Sequence, residues 1–509
     1  MAIWLTIVLL LVLILACLGF NWIWFQPKKL EKQLRALGFQ GNPYRILVGD
    51  MKDLVKMRNE ALSKPISVGE NICLRILPFY PALIRNHGKN CFMWFGMVPR
   101  LVITDPEEVK QIVNQIDDFR KQQLKPLARN LLAGLVSHEG DKWAHHRKLL
   151  NPAFRTEKLK LMIPAFHRSC DEICSKWENL VSGNEPVELD VWPDLKVLTS
   201  DAISRTAFGS SYREGRRIFE LLCELLPLSV KAQLSIYIPG SRFLPSKLAK
   251  QIKSVELEVR NSISAIIAKR EKLVEAGEPA GDDLLGILMD SNYREIQEQG
   301  VGMSYDDMIE ECKLFYIAGQ ETTSGLLVWT MILLAKHSDW QERAREEVHQ
   351  VIGNNTPDSD ALTHLKLITM ILHESLRLYP PGAIILRSTN KEVSLGDKRL
   401  PGGVQLMVPI FMMHYDKELW GNDAEEFNPD RFVDGVSKAT NSKLSFLPFG
   451  WGPRICIGQT FALMEAKIVI AMILQRFSFA LSPTYTHAPS VLLGLQPQHG
   501  AHLLLKKLW

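Results

Sequence analysis

Cysteine is scarce in this chain: eight in 509 residues, with no Cys-x-x-Cys pair. That spacing rules out a disulfide framework, and a reducing compartment is the simplest setting. Cys170 and Cys174, four apart on one expected helix, read as packing residues. Net charge is also scarce, at +4, which leaves no case for nucleic acid as a partner. No Gly-x-Gly-x-x-Gly follows a strand and no Walker loop occurs, so no nucleotide site is expected and any electrons must come from another protein. Internal repeats and low-complexity stretches are missing too. Between Ile3 and Phe20 charge itself is missing, and eighteen such residues span about 27 Å as a helix, enough to cross a bilayer. Trp22, Trp24 and Phe25 follow where aromatic rings sit at a membrane interface, then Pro27, Lys28, Lys29, Lys32 and Arg35. A cleaved signal peptide would carry its positive charge before the apolar run and small residues after it. Neither is present. The reading is one uncleaved anchor over residues 1–25, a basic hinge linker over 26–45, and a domain over 46–509 on the cytosolic side. The endoplasmic reticulum is the expected membrane. In that orientation the sequon Asn354-Asn355-Thr356 never meets the glycosylation machinery.

What remains is rich in helix signals. Apolar residues at 46% and charged residues at 23% allow a large core. Cys91 to Phe95, Gly96, then Leu101 to Thr104 read as a hairpin. Asp105-Pro106-Glu107 opens a helix, and Asp141 to Arg260 is mostly helical. Ser235 to Lys247, with Pro239, Gly240 and Pro245, interrupts it, either as an ordinary loop or as a second membrane-touching surface. Ser304, with Asp307 three residues on, caps an unusually long helix from Tyr305 to about Lys336, and Ser338 with Gln341 caps the next. Thr369 to Tyr379 is stopped by Pro380 and Pro381. Val393 to Val408 reads as glycine-punctuated strands, and Phe461 to Phe477 as a last helix. The fold class is mostly α with small β-sheets.

The most informative ten residues are Phe449 to Gly458, Phe-Gly-Trp-Gly-Pro-Arg-Ile-Cys-Ile-Gly. They set Cys456 in a glycine-rich loop where backbone N–H groups can point at its sulfur. A metal-ligating sulfur must be a thiolate, and a thiolate needs such help against protonation. The complete pattern Phe-x-x-Gly-x-Arg-x-Cys-x-Gly resembles the signature of the cytochrome P450 superfamily. That resemblance implies a single haem-thiolate domain of the cytochrome P450 fold behind a transmembrane helix. It also implies haem b held through Cys456, whose electron push favours O–O cleavage.

Further residues take their expected roles from the same resemblance. Ala318-Gly319-Gln320-Glu321-Thr322-Thr323 lies mid-helix. Gly319 costs a helix interior roughly 1 kcal/mol, which asks for a reason such as close approach of a flat macrocycle. The Thr322 hydroxyl can bond back to the carbonyl of Ala318 and bend the helix. In the family the acid–alcohol pair, here Glu321 and Thr322, relays protons to dioxygen at the haem. Glu374 and Arg377 share a helix face, and with Arg431 would lock the cysteine loop; Asp430 stands where the usual pattern has glutamate. Trp143, Arg147, Arg387 and Arg454 are the candidate partners of the two haem propionates, and Phe449 and Gly458 complete the cofactor set. The implied substrate pocket takes in the loop before Trp143, Ser235 to Lys247, Tyr316, Ala318 and Gly319. It also takes in Ala383, Ile384, Ile385 and Leu386, and Leu493 within Val491 to Leu495. These last segments are almost wholly apolar, so a lipophilic substrate follows. NADPH–cytochrome P450 reductase is the implied electron donor, with cytochrome b5 as a second candidate. Lys142, Arg147, Lys148, Lys443 and Arg454 could form its docking patch.

A finer resemblance covers nearly the whole chain. Leu30-Glu31-Lys32 to Gly41-Asn42-Pro43-Tyr44, Phe446 to Pro453, and Leu495-Gln496-Pro497-Gln498 with Gly500-Ala501-His502 resemble the plant family that contains secologanin synthase. Its members oxidise iridoids, triterpenoid and steroidal sapogenins and hormones, and some detoxify herbicides. The leading expectation is a monooxygenase that uses O2 on a terpenoid. Against it stand a haem-thiolate isomerase or dehydratase, which would not need Glu321 and Thr322, and a haem carrier or sensor.

Overall fold

Ser304 accepts a hydrogen bond from the N–H of Asp307, with Asp306 and Asp307 in the first turn, and the helix that starts there runs without a break from Tyr305 to Lys336. At 1.5 Å per residue that is about 48 Å. Its apolar residues are spread round all sides because it is the centre of the domain. The helices Trp192–Phe208, Lys247–Glu275, Lys366–Leu378 and Gln459–Arg476 pack round it. This computed structural model describes every residue except 130, 182, 184, 236–245, 441 and 509, and no side chain at 2 or 443. Most of Ser235 to Lys247 therefore lies outside the described residues.

The largest sheet has six strands in the order Gln40–Gly41, Cys91–Phe95, Val98–Val102, Gln405–Pro409, Ile384–Ser388 and Arg120–Lys121. Its outermost pairing sets Lys121 opposite Arg387. The hairpin forms where expected, but its second strand starts three residues early, at Val98. Gly96, at φ +67°, makes the tight turn that fixes this register. A three-stranded sheet joins Phe477–Leu481, His502–Lys507 and Val187–Asp190, and a small hairpin pairs Pro489–Val491 with Leu495–Pro497. The expected cap at Ser338 does not form. Ser338 is already helical, no side chain caps that end, and the Gln341 amide instead donates to the carbonyls of Leu334 and Phe479.

Ala2–Phe20 is an apolar, outward-facing helix that continues through a π-turn, Asn21–Phe25, into Gln26–Ala36. It is long and apolar enough to cross a membrane. The stretch expected as a hinge linker is packed on the domain. Leu34, Phe39 and Tyr44 are buried beside Phe92 and Trp94, and the Tyr44 hydroxyl donates to the carbonyl of Ile23.

Candidate active site

The cysteine loop is closed by the Cys456 N–H, which donates to the carbonyl of Phe449 at 2.9 Å. Gly450 and Gly452 take φ of +71° and +74°. A Cβ on Gly452 would also sit 2.9 Å from the Val113 carbonyl, so only glycine serves there. The N–H of Gly458 points at the sulfur. Burial pushes the Cys456 thiol up, while that N–H and the Arg147 guanidinium pull it back toward the thiolate. Protein surrounds Cys456 on all sides, yet its side chain is accessible, so it stands on the wall of an interior chamber. A Cβ on Gly458 would meet no protein atom closer than 3.9 Å, that atom belonging to Phe154. The Phe154 ring in turn lies 6.0 Å from that of Phe315, one turn before the Ala318 segment.

From Phe315 to Leu334 every residue of the long helix is buried except Ala318, Gly319 and Thr322, and of these Ala318 and Thr322 are exposed. The Thr322 hydroxyl donates to the Ala318 carbonyl at 2.7 Å, as the sequence suggested. No hydrogen bond joins Glu321 to Thr322. Glu321 is buried about 100° round the helix, its carboxylate 3.3 Å from Lys196 on the Trp192–Phe208 helix. Two pocket expectations need correction here. Tyr316 is fully buried, stacked on Phe208 with ring centroids 4.2 Å apart. A Cβ on Gly319 would meet Ile203 at 2.6 Å, so this glycine admits a neighbouring helix.

Ala383 is buried, and Ile384 to Leu386 form a strand whose side chains must alternate. Ile384 and Leu386 pack against Phe79, Met93 and Met407; Ile385 packs in the cluster of Leu406 and Val408. These residues do not make one wall as expected. Only Ile385 shares the face of Arg387. Leu493, half-buried, sits at the tip of the small hairpin, which the Leu495 N–H pins to the carbonyl of Pro381.

Cations crowd one edge of the site. Arg147 donates to the Ile455 carbonyl at 2.9 Å. Arg454 pairs with Glu139 at 2.5 Å and lies 5.6 Å from the Trp143 ring, which Lys121 approaches at 5.9 Å. Burial and the Arg454 charge lower Arg387 to about 10 and Lys121 to about 7. Among the described residues Glu139, paired with Arg454, is the one carboxylate in an ion pair with any of these four cations. Buried Nε of Arg387 and Nε and Nη1 of Arg454 have no acceptor among the described residues. Such groups call for partners. A flat group with two carboxylates and a metal for Cys456 fits this donor set. Lys121 was not foreseen; only its pairing with Arg387 brings it here.

Behind the loop, Glu374 and Arg377 are wholly buried and joined by two hydrogen bonds, Nε to Oε2 at 2.7 Å and Nη2 to Oε1 at 2.8 Å. Arg377 also donates to the carbonyls of His414, Ala424 and Glu426. Arg431 reaches Glu374 at 3.4 Å and Asp423 at 2.6 Å, so the three lock residues meet. His414, also unforeseen, ties lock to loop: its Nδ1–H donates to the Arg377 carbonyl and its Nε2 accepts from the N–H of Leu447. The basic docking patch does not survive as drawn. Lys142 is paired with Asp307 and Lys148 with Glu295, Arg147 and Arg454 are engaged as above, and the Lys443 side chain is outside the description.

The cytochrome P450 family profile matches residues 78–503. Cytochrome P450 CYP72A219 of Panax ginseng is 53% identical over 98% of this chain and 97% of its own length. Cytochrome P450 72A15 of Arabidopsis thaliana is 53% identical over 96% and 95%. The 7-deoxyloganic acid hydroxylase of Catharanthus roseus is 52% identical, again over 96% and 95%. With a catalytic-domain match this long and relatives this close, the chain belongs to the cytochrome P450 family, in its plant CYP72A branch, and is a haem b monooxygenase.

Proposed function

We propose that the chain hydroxylates or further oxidises a lipophilic terpenoid, with Cys456 as the haem ligand and electrons from NADPH–cytochrome P450 reductase, assisted by cytochrome b5. Bound haem b supplies the redox iron at which dioxygen is activated. Hydroxylation consumes O2, two electrons and two protons and returns water, so protons must reach the site through the chain. The exposed Thr322, on the one uncovered face of an otherwise buried stretch of helix, is the observation that carries this reading. Its Oγ1 can hold a proton at the chamber wall, and Glu321 can replenish it after swinging from Lys196. Trp143, Lys121, Arg147, Arg387 and Arg454 orient and neutralise the propionates. Glu374, Arg377 and Arg431 hold the loop. The apolar run of Val491 to Leu495 supports a lipophilic substrate, and the relative named for 7-deoxyloganic acid hydroxylation supports a terpenoid. Ala2–Phe20 anchors the protein in the endoplasmic reticulum membrane with the domain in the cytosol.

Replacing Cys456 with Ser is expected to abolish the thiolate-type spectrum of the reduced, carbon-monoxide-bound protein and all turnover. Replacing any other cysteine leaves both intact. A terpenoid panel run with reductase, NADPH and isotopically labelled O2 should give product carrying the label. Product formed without O2 or NADPH would move the chain to the isomerase class.

A further inference from the structure

Where the apolar N-terminal helix meets the domain there is a second cavity, of about 360 Å³. Trp22, Gln26 and Pro27 close one side of it, and Leu47 and Met97 supply apolar wall. Its polar lining includes Gln122, Lys125, Gln233 and Gln405, and no carboxylate lines it among the described residues.

The orientation of the three amides follows from their partners. Arg100 donates through Nε and Nη2 to Gln405 Oε1, at 3.0 and 2.8 Å, and at 3.5 Å to Gln122 Oε1. The backbone N–H of Lys125 donates to Gln233 Oε1 at 3.0 Å. A guanidinium and a backbone N–H can only donate, so each of these amides must present its oxygen to them and keep its NH2 for something else. None of the three NH2 groups has an acceptor among the described residues. Gln405 is only 9% exposed, yet its amide nitrogen is not among the wholly enclosed, unpartnered atoms. What surface it keeps therefore faces the cavity it lines. Lys125 spends two of its three protons on the carbonyls of Gln233 and Ser235. Arg100 is buried against the Phe95 ring at 3.9 Å, with no carboxylate paired to it among the described residues. The cavity therefore offers donors and positive charge without an acid to balance them, beside an apolar wall and at the foot of a membrane-length helix.

We propose that this cavity seats the head group of an amphiphilic anion, a phosphate or a carboxylate, whose apolar tail passes Trp22 toward the bilayer. The proposal rests on the membrane reading of Ala2–Phe20 for the direction of the tail, and on the Arg100–glutamine network for the charge. Its lining shares no residue with the cysteine loop or with the cations placed on the propionates. Two sources share this chemistry: an acidic phospholipid of the host membrane, and an acidic amphiphile arriving from solution.

The full-length holoprotein in nanodiscs of phosphatidylcholine with a minor fraction of phosphatidic acid, released into a native mass spectrometer, should retain phosphatidic acid above its share of the disc. In detergent micelles, dodecanoate should bind and dodecanol should not. Gln405→Glu puts a carboxylate where the donors converge, and Lys125→Gln removes the cation. Losing a charge-assisted contact at a partly desolvated site weakens binding roughly tenfold. Each variant should lose the anion preference by about that factor while keeping its thiolate carbon monoxide spectrum, which checks the fold. If Gln405→Glu fails that check, Gln233→Glu takes its place. Retention of phosphatidic acid identifies the lipid source, and dodecanoate binding alone identifies the soluble one. The proposal is overturned if neither anion is preferred, or if the preference persists in the variants. A chain that failed to enter the discs would defeat the anchor reading, and the dodecanoate arm, which needs no membrane, would still decide this one.

Discussion

Thr322 spends its hydroxyl proton on the carbonyl of Ala318, four residues back, and so keeps its oxygen lone pairs for the chamber. Replacing it with alanine removes that oxygen and keeps a small side chain at the same place on the helix. Thr322→Ala should keep the substrate-induced spectral shift, while NADPH consumption becomes uncoupled and yields peroxide. Loss of binding with coupling unchanged would assign Thr322 to the substrate instead. Glu321→Gln should slow turnover in the same direction, measured as product formed per NADPH consumed. Local order made both residues readable in the sequence, as it did Cys456, because the chemistry there depends on neighbours in the chain. Lys121 and His414 were not readable. Lys121 matters only because its strand pairs with that of Arg387, and His414 only because one ring faces both Arg377 and Leu447. Nothing within several residues of either announces these contacts.

The same contrast holds for whole elements, and Gly319 is where it changes an interpretation. Sequence alone asks why a helix interior should accept a residue costing roughly 1 kcal/mol and cannot say which side needs the space. The answer is the Trp192–Phe208 helix, whose Ile203 would lie 2.6 Å from a new Cβ. Gly319→Ala gains about 1 kcal/mol of helix propensity, whereas forcing a methyl into a packed contact costs about 1–3 kcal/mol. The variant should therefore lie between neutral and about 2 kcal/mol less stable, with its carbon monoxide spectrum intact. In an Ile203→Ala background the clash is gone, and the same substitution should become stabilising by thermal unfolding. A Gly319→Ala protein of normal stability that fails to retain haem would restore the close-approach explanation. Helix ends followed the sequence where prolines set them, as at Pro380-Pro381. The hairpin forms at the expected place, but its second strand begins at Val98, before the expected Leu101, because the turn at Gly96 sets the pairing of Phe95 with Val98. The linker reading of 26–45 missed its packing, since Leu34, Phe39 and Tyr44 are bound by tertiary contacts with Phe92 and Trp94.

At the scale of the whole molecule, buried histidines make the fold sensitive to mild acid. His373 packs against Phe432 and Phe446, and His487 sits between the hydroxyls of Tyr379 and Tyr485. Burial lowers both to about 4, and lowers His414, between lock and loop, to about 3. Their ordinary value is about 6.5. Because the folded values are depressed, the unfolded chain binds more protons as pH falls below about 6.5, so stability is full above that pH and is lost toward 4. Each histidine then withdraws on the order of 3 kcal/mol by the time pH reaches its folded value. Glu465 acts in the opposite sense. Fully buried, it is held neutral well above the ordinary carboxyl range, so its contribution is present at low pH and lost as pH rises. These three histidines against Glu465 leave a net loss of stability in acid of about two protons, or roughly 2.7 kcal/mol per pH unit, and His138, also lowered to about 4 by burial, adds in the same direction. Thermal unfolding of the holoprotein should thus be level near neutrality and fall between about pH 6.5 and 4.5, above the range where paired carboxylates titrate. His414 stays neutral in the folded protein until pH approaches about 3, so the Leu447 N–H keeps its acceptor and the thiolate spectrum should decay over this interval only as the protein unfolds. His373→Phe, which exchanges a ring among aromatic neighbours for another ring, should flatten that slope by about one proton and leave the neutral plateau in place. A stability level from pH 6.5 to 4.5, or an unchanged slope in His373→Phe, would show that these histidines are protonated in the folded protein.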